Sequence, residues 1–155
     1  MRRRRAWWPV LGRRGAVALE LAVALPVTAV LLGNIVDYGT MLRRHAQLAA
    51  GVANAASYAS RAGAEVLPAT LTGIATASSG LAGATAGASA SSCHCPSGAP
   101  VVLGAAVACT ATCPGGGVAQ RYVTVTGSYA YVSSFPLAMT GAARTLTHSA
   151  TVVVR

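Results

Sequence analysis

The chain has 155 residues, 54% of them hydrophobic and 10% charged, with a formal net charge of +9. Such an apolar, charge-poor chain reads as membrane-anchored rather than as an ordinary soluble domain. The positive charge is not spread over a folded face, as nucleic-acid binding requires: six of the twelve basic residues (Arg2, Arg3, Arg4, Arg5, Arg13, Arg14) precede one apolar run, and nucleic acid is excluded as a partner.

From Ala16 to Val36 nearly every residue is apolar. Its 21 residues span roughly 31 Å as a helix, about the hydrocarbon thickness of a bilayer. No second segment approaches that length, so one crossing is predicted. Arginines stacked before a first span hold that end in the cytoplasm, and the remainder is exported. Arg43 and Arg44 on the far side are too few to reverse this. The predicted location is the bacterial cytoplasmic membrane, single-pass, with a cytoplasmic N-terminus and an extracytoplasmic C-terminal domain. A basic end before an apolar core also describes a cleaved secretory signal, yet the residues after Leu32 (Gly33, Asn34, Ile35, Val36, Asp37, Tyr38) offer no small-residue cleavage site.

Glu20 stands inside the apolar run, where an unpaired carboxylate costs about 2.5 to 3.5 kcal/mol on insertion scales. Cleavage between Gly15 and Ala16 would resolve this. It creates an α-amine on Ala16, four residues before Glu20 and on the same helix face, available to this chain or to a neighbouring subunit. The competing reading starts the helix later and leaves Glu20 at the cytoplasmic interface, beside Arg13 and Arg14. Asp37 falls at the expected exit from the bilayer and is read as solvated. Pro26 is expected to kink the span, and Trp7 and Trp8 to sit at headgroup level.

The stretch GAVALELAVALPV, with Gly15 before the cut and Glu20 fifth after it, resembles a type IV prepilin signal. The longer run RRGAVALELAVALPVTAVLLGNIVDYG is similar to the TadE-like pseudopilins of tight-adherence (Flp) pilus systems. The resemblance covers residues 13 to 60 well and the remainder loosely. It implies cleavage by a prepilin peptidase on the cytoplasmic side, and a role for Glu20 in registering subunits through a neighbour's N-terminus. Leu21 departs from the major Flp pilins, which carry Tyr after the glutamate, and this argues against the main fibre subunit.

Helical spacing continues past the span. Tyr38, Met41, Leu42, His45, Leu48, Ala49, Val52, Ala55, Ala56 and Ala59 form an apolar stripe, with Asp37, Thr40, Arg43, Arg44, Gln47, Asn54, Ser57 and Arg61 on the other side. One helix is predicted from Ala16 to Arg61, with His45 as a packed residue. The predicted organisation is a leader at 1–15, a transmembrane helix at 16–37, an amphipathic extension at 38–61 and a small extracytoplasmic α+β head at 62–155.

Residues 62 to 92 are mostly Ala, Gly, Ser and Thr. A short helix is predicted over Glu65 to Ala77, entered near Pro68, and a weak strand over Ala84 to Ser92. Small side chains bury little apolar area, so the head needs another source of stability. Two cysteine pairs are the candidates, Cys93 with Cys95 and Cys109 with Cys113. In the cytoplasm they would suggest zinc, with His94 between two of them. Outside it disulfides persist, and because a bridge between residues two apart is strained, Cys93 and Cys95 should each cross to Cys109 or Cys113. TadE-like proteins often show comparable cysteine pairs, which leans the same way.

Residues 121 to 132 alternate Val123, Val125, Tyr129 and Tyr131 against Tyr122, Thr124, Thr126 and Ser128, predicting a strand with a bulge at Gly127. A turn at Phe135 and Pro136 leads to a strand over 144 to 155, with Leu146, His148, Ala150, Val152 and Val154 on one face. These strands should pair antiparallel, with a third strand between Pro100 and Cys109. The fold class is α+β: a long N-terminal helix packed on a small antiparallel sheet.

The chain has three acidic residues, two of them on the membrane helix, so no catalytic set assembles, and neither an enzyme, a cofactor, a metal nor a small-molecule substrate is expected. The predicted function is structural: a minor pilin or pseudopilin of a tight-adherence type IV pilus. Its partners are the membrane, other pilin subunits through the N-terminal helix, and the prepilin peptidase, with a cell-surface pilus as a further destination. The runner-up is a permanently anchored protein whose head binds a ligand or metal through the cysteine-rich loop.

Overall fold

The computed structural model describes residues 13–97, 102–135 and 143–155, with side chains described from residue 17 onward. The arginines at 2 to 5, Trp7, Trp8 and Pro136 lie outside the described residues.

Helix α1, Arg13–Ala62, is continuous over 50 residues and carries Pro26 within it, a length of roughly 75 Å. It stops where Gly63 turns to φ +85°, a conformation disfavoured for any side-chain-bearing residue. The Gly63 N–H donates to the Ala59 carbonyl and the Ala64 N–H to that of Arg155, so the chain's last residue is tied to the helix end. Helix α2, Pro68–Ser79, begins on its proline and ends at Gly80 in the left-handed region. It starts and ends slightly later than its sequence pattern suggested.

Five strands follow: β1 (Thr85–Ala88), β2 (Ser92–Ser97), β3 (Val102–Val107), β4 (Gln120–Val132) and β5 (Ala143–Val154). They form one antiparallel sheet centred on β4. β5 pairs with β4 along its length, while β1 and β2 share its other edge and β3 extends from β2. The two long C-terminal strands and β3 match the predicted elements. β2 was not foreseen, because its cysteines and Pro96 resemble loop residues.

The sequence reading also misplaced the sheet's irregularity. Gly127 is no bulge: it pairs in register with Ala86 on one side and His148 on the other. The register shift lies instead between His94 and Pro96, where proline has no N–H for the ladder. Gly127 serves packing, since a Cβ there would stand 2.8 Å from Val52 and 3.0 Å from Leu48 on α1.

The C-terminal half of α1 and α2 lie on one face of this sheet. The core joins Val52, Ala55 and Ala59 of α1 with Leu71 and Ala75 of α2 and with Val123, Val125 and Val154 of the sheet. Six of the ten residues of α1's predicted stripe, Met41, Leu48, Val52, Ala55, Ala56 and Ala59, are buried. Tyr38 and Leu42 are not, each being 51% exposed. The buried track keeps to the predicted stripe through Met41, Leu48 and Val52 and departs from it only at the first turn, where Asp37 is buried in place of Tyr38.

Small residues set the helix spacing. At Gly51 a Cβ would stand 2.5 Å from the Ala75 carbonyl oxygen and 2.9 Å from the Ser79 Cβ, so α2 crosses against bare backbone. Alanine normally favours a helix over glycine by up to about 1 kcal/mol. Here the clash is with backbone and the helices must separate. Gly51→Ala is therefore expected to destabilise the detergent-solubilised protein by about 1 to 3 kcal/mol, read as a lowered thermal midpoint. A midpoint at or above the parent's would show that the crossing relaxes freely.

Candidate functional site

Three parts of the molecule carry distinctive chemistry: the N-terminal half of α1, the junction where α1 meets the end of β4, and the cysteine-rich loops.

The N-terminal half of α1 is long and apolar enough to cross a membrane, and none of its apolar window is covered by the head. Apart from the half-buried Val30, its large apolar side chains from Val17 to Val36, including Leu19, Leu25, Leu32 and Ile35, are more than half exposed. A soluble domain would bury such a surface. Glu20 lies on this bare rod beside Leu19, Val23, Ala24 and Val27, in a shallow groove. Among the described residues none forms a hydrogen bond or ion pair with it. Gly15 and Ala16 are helical backbone at the start of α1, one turn before Glu20.

At the junction the sequence reading requires correction. Asp37 is 3% exposed rather than solvated. Its face of α1 is covered by the end of β4, which brings a donor from far along the chain. The Tyr131 hydroxyl, itself buried, lies 2.8 Å from Asp37 Oδ1 and 3.0 Å from the Asp37 carbonyl oxygen. The Ser134 N–H donates to the same Oδ1 at 3.3 Å, and Thr40 Oγ1, donating to the Asp37 carbonyl at 2.8 Å, is 2.9 Å from the Tyr131 hydroxyl. One helical turn earlier, the Phe135 ring lies directly on Gly33, where any Cβ would overlap it. The local sequence carries no signal for this cluster: hydrophobic periodicity can place Asp37 on a polar face but cannot reveal a tyrosine 94 positions away.

Burial pushes the Tyr131 hydroxyl above its ordinary range, with its hydrogen bond to Asp37 acting in the same direction and Thr40 opposing. A raised tyrosine favours the neutral form in the folded state. Its contribution to stability is present below the ordinary tyrosine value of about 10 and is lost as pH rises through the higher folded value.

In the cysteine-rich region the sulfurs are paired Cys93 with Cys109 and Cys95 with Cys113, with Cα separations of 5.1 and 5.5 Å. Each cysteine of the first pair crosses to one of the second. The bonds tie β2 to the loop after β3, and no thiol remains to act as a zinc ligand. His94 between them has Nδ1 2.8 Å from the Gly104 carbonyl, Nε2 2.9 Å from the Ser92 hydroxyl and its ring edge-on to Tyr122. That is a packing role within the sheet. Among the described residues no three metal-ligating side chains converge.

The other histidines also sit at a packing seam. His45 on α1 and His148 on β5 meet edge to face with ring centres 5.9 Å apart, and His45 Nε2 is 3.4 Å from the Thr147 carbonyl oxygen.

No protein-family description, curated protein or solved structure matches this chain. What can be stated directly is the class: an α+β chain whose head is built on the second half of a helix that is apolar and bare over its first half.

Tyr131→Phe leaves the buried Asp37 oxygen short of a donor and is expected to cost about 1 to 3 kcal/mol at neutral pH, measured by denaturant unfolding in detergent. The same variant should lose less stability than the parent between pH 9 and 11, since no phenol remains at position 131 to ionise. A Cys95→Ser, Cys113→Ser double variant is expected to lose about 3 kcal/mol by the same measurement, from the loop entropy restored to the unfolded chain. Stability equal to that of the oxidised parent would contradict this.

Proposed function

We propose that this chain is a structural or assembly subunit of a tight-adherence type IV pilus, a TadE-like minor pilin or pseudopilin anchored in the cytoplasmic membrane by its N-terminal helix. One observation carries the reading: a single uninterrupted helix is largely bare and apolar over 17–32, then packs into a disulfide-linked head over 41–59. A subunit that waits in a bilayer and then joins a helical bundle needs such a rod, with the same surface meeting lipid first and other helices later.

The position of Glu20 supports the same reading. In lipid or in a bundle its carboxylate needs a cation, and removal of residues 1–15 supplies one at Ala16. The basic leader keeps its end in the cytoplasm, within reach of a prepilin peptidase, and places the disulfides on the oxidising side. The mechanism is mechanical: the helix anchors the subunit before assembly, and Glu20 sets its register afterwards.

Mass spectrometry of protein extracted from membranes of a strain carrying the pilus system is expected to show an N-terminus at Ala16. An intact Met1 on mature molecules would favour the permanently anchored binding protein instead. Glu20→Ala is expected to be processed and inserted normally yet to be recovered from sheared pilus or assembly-complex fractions at least about tenfold less, the equivalent of the roughly 1.4 kcal/mol or more that an unpaired intramembrane contact forfeits. Undiminished recovery would remove the register role.

A further inference from the structure

The junction of α1 with the head has a vertical order that the pilus reading does not use. Gly33, Asp37, Thr40 and Arg44 follow one another at helical spacing and share a face of α1. On that face the Phe135 ring covers Gly33, Tyr131 covers Asp37, and Arg44 is exposed beyond them. If the span ends at Val36, Gly33 lies roughly 4 to 5 Å inside the hydrocarbon edge. Phe135, which belongs to the head, is therefore carried down to the depth of the membrane boundary. Leu32, Val36 and Phe135 form one apolar surface there.

Charge around this level of α1 is one-sided. Arg43 and Arg44 are exposed one to two turns above the buried Asp37. Helical side chains lean toward the N-terminus, which here is the membrane side, and arginine stems are long enough to bring their guanidinium groups to headgroup level. The chain's other carboxyls are remote: Glu20 lies within the span and Glu65 beyond the far end of α1.

We infer that the β4 end of the head is a lipid-docking surface, seating Phe135 at the hydrocarbon edge and Arg43 and Arg44 at the phosphates of an anionic leaflet where α1 leaves the membrane. The inference rests on the membrane-anchored reading of α1. The bilayer then shields the Asp37–Tyr131 cluster from water on the side the head leaves open. The head stands in a fixed orientation on the membrane rather than swinging on the helix.

The test uses the full chain with Trp7→Phe, Trp8→Phe and Phe135→Trp, reconstituted in vesicles of phosphatidylethanolamine and phosphatidylglycerol. Spin labels are placed at shallow or deep acyl positions. The expected result is co-flotation with the vesicles, blue-shifted emission, and greater fluorescence loss with the shallow label than with the deep label or aqueous iodide. Adding Arg43→Gln and Arg44→Gln should reduce that loss in phosphatidylglycerol vesicles. Co-flotation with emission quenched by iodide alone overturns the docking and leaves the anchor intact, whereas failure to co-float overturns the anchor itself. A second arm leaves the junction native: the unsubstituted chain is irradiated with a photoreactive phosphatidylglycerol. Lipid adducts at residues 133–135 support the docking; adducts confined to α1 overturn it.

Discussion

A helix that is apolar and bare along one half and packed along the other must change environment somewhere, and here the change falls at Asp37. A carboxyl group buried at that point would be costly without donors. The end of β4 supplies them through the Tyr131 hydroxyl and the Ser134 N–H, while Phe135 covers the neighbouring turn at Gly33. The interaction fixes more than a side chain. It anchors the tip of the longest strand to the last turn of the apolar segment, so the whole sheet inherits its height and rotation from α1. Removing either partner would leave the other with fewer hydrogen bonds in a buried position.

The rest of the head is built from side chains too small to hold it together by burial alone. Ala55, Ala59 and Ala75 bury little area each, and among the described residues only Leu71, Val52, Val123 and Val125 are large and fully enclosed. Close backbone approach offsets this in part: α2 runs against Gly51, and Val52 and Leu48 fill the space above Gly127. Dispersion contacts strengthen when backbones approach closely. Two disulfides restrain the loops that lie outside this core. The design favours a stiff, thin head over a large one, as suits a domain that must remain attached to a slender rod.

Much of this architecture was legible along the chain. A run of 21 residues, nearly all apolar, marks a helical rod long enough to cross a membrane by length and composition alone. Alternation in β4 and β5 specifies strands because side chains there repeat every two residues. Legibility failed where partners are distant. β2 was hidden because its cysteines and Pro96 have no strand signature of their own and become a strand only by pairing with β3 and β4. Gly127 looked like a bulge because glycine weakens an isolated strand, whereas its role is to make room for α1.

Composition, periodicity and charge order thus determined the elements, the apolar span and the position of Glu20 within it, since each follows from residues near one another in the chain. The rotation of α1 against the sheet, the burial of Asp37 and the seating of Phe135 on Gly33 were decided only by the tertiary structure. Their energies depend on contacts between residues about a hundred positions apart, and no local pattern encodes which distant group will arrive to satisfy a buried oxygen or fill a bare turn of helix.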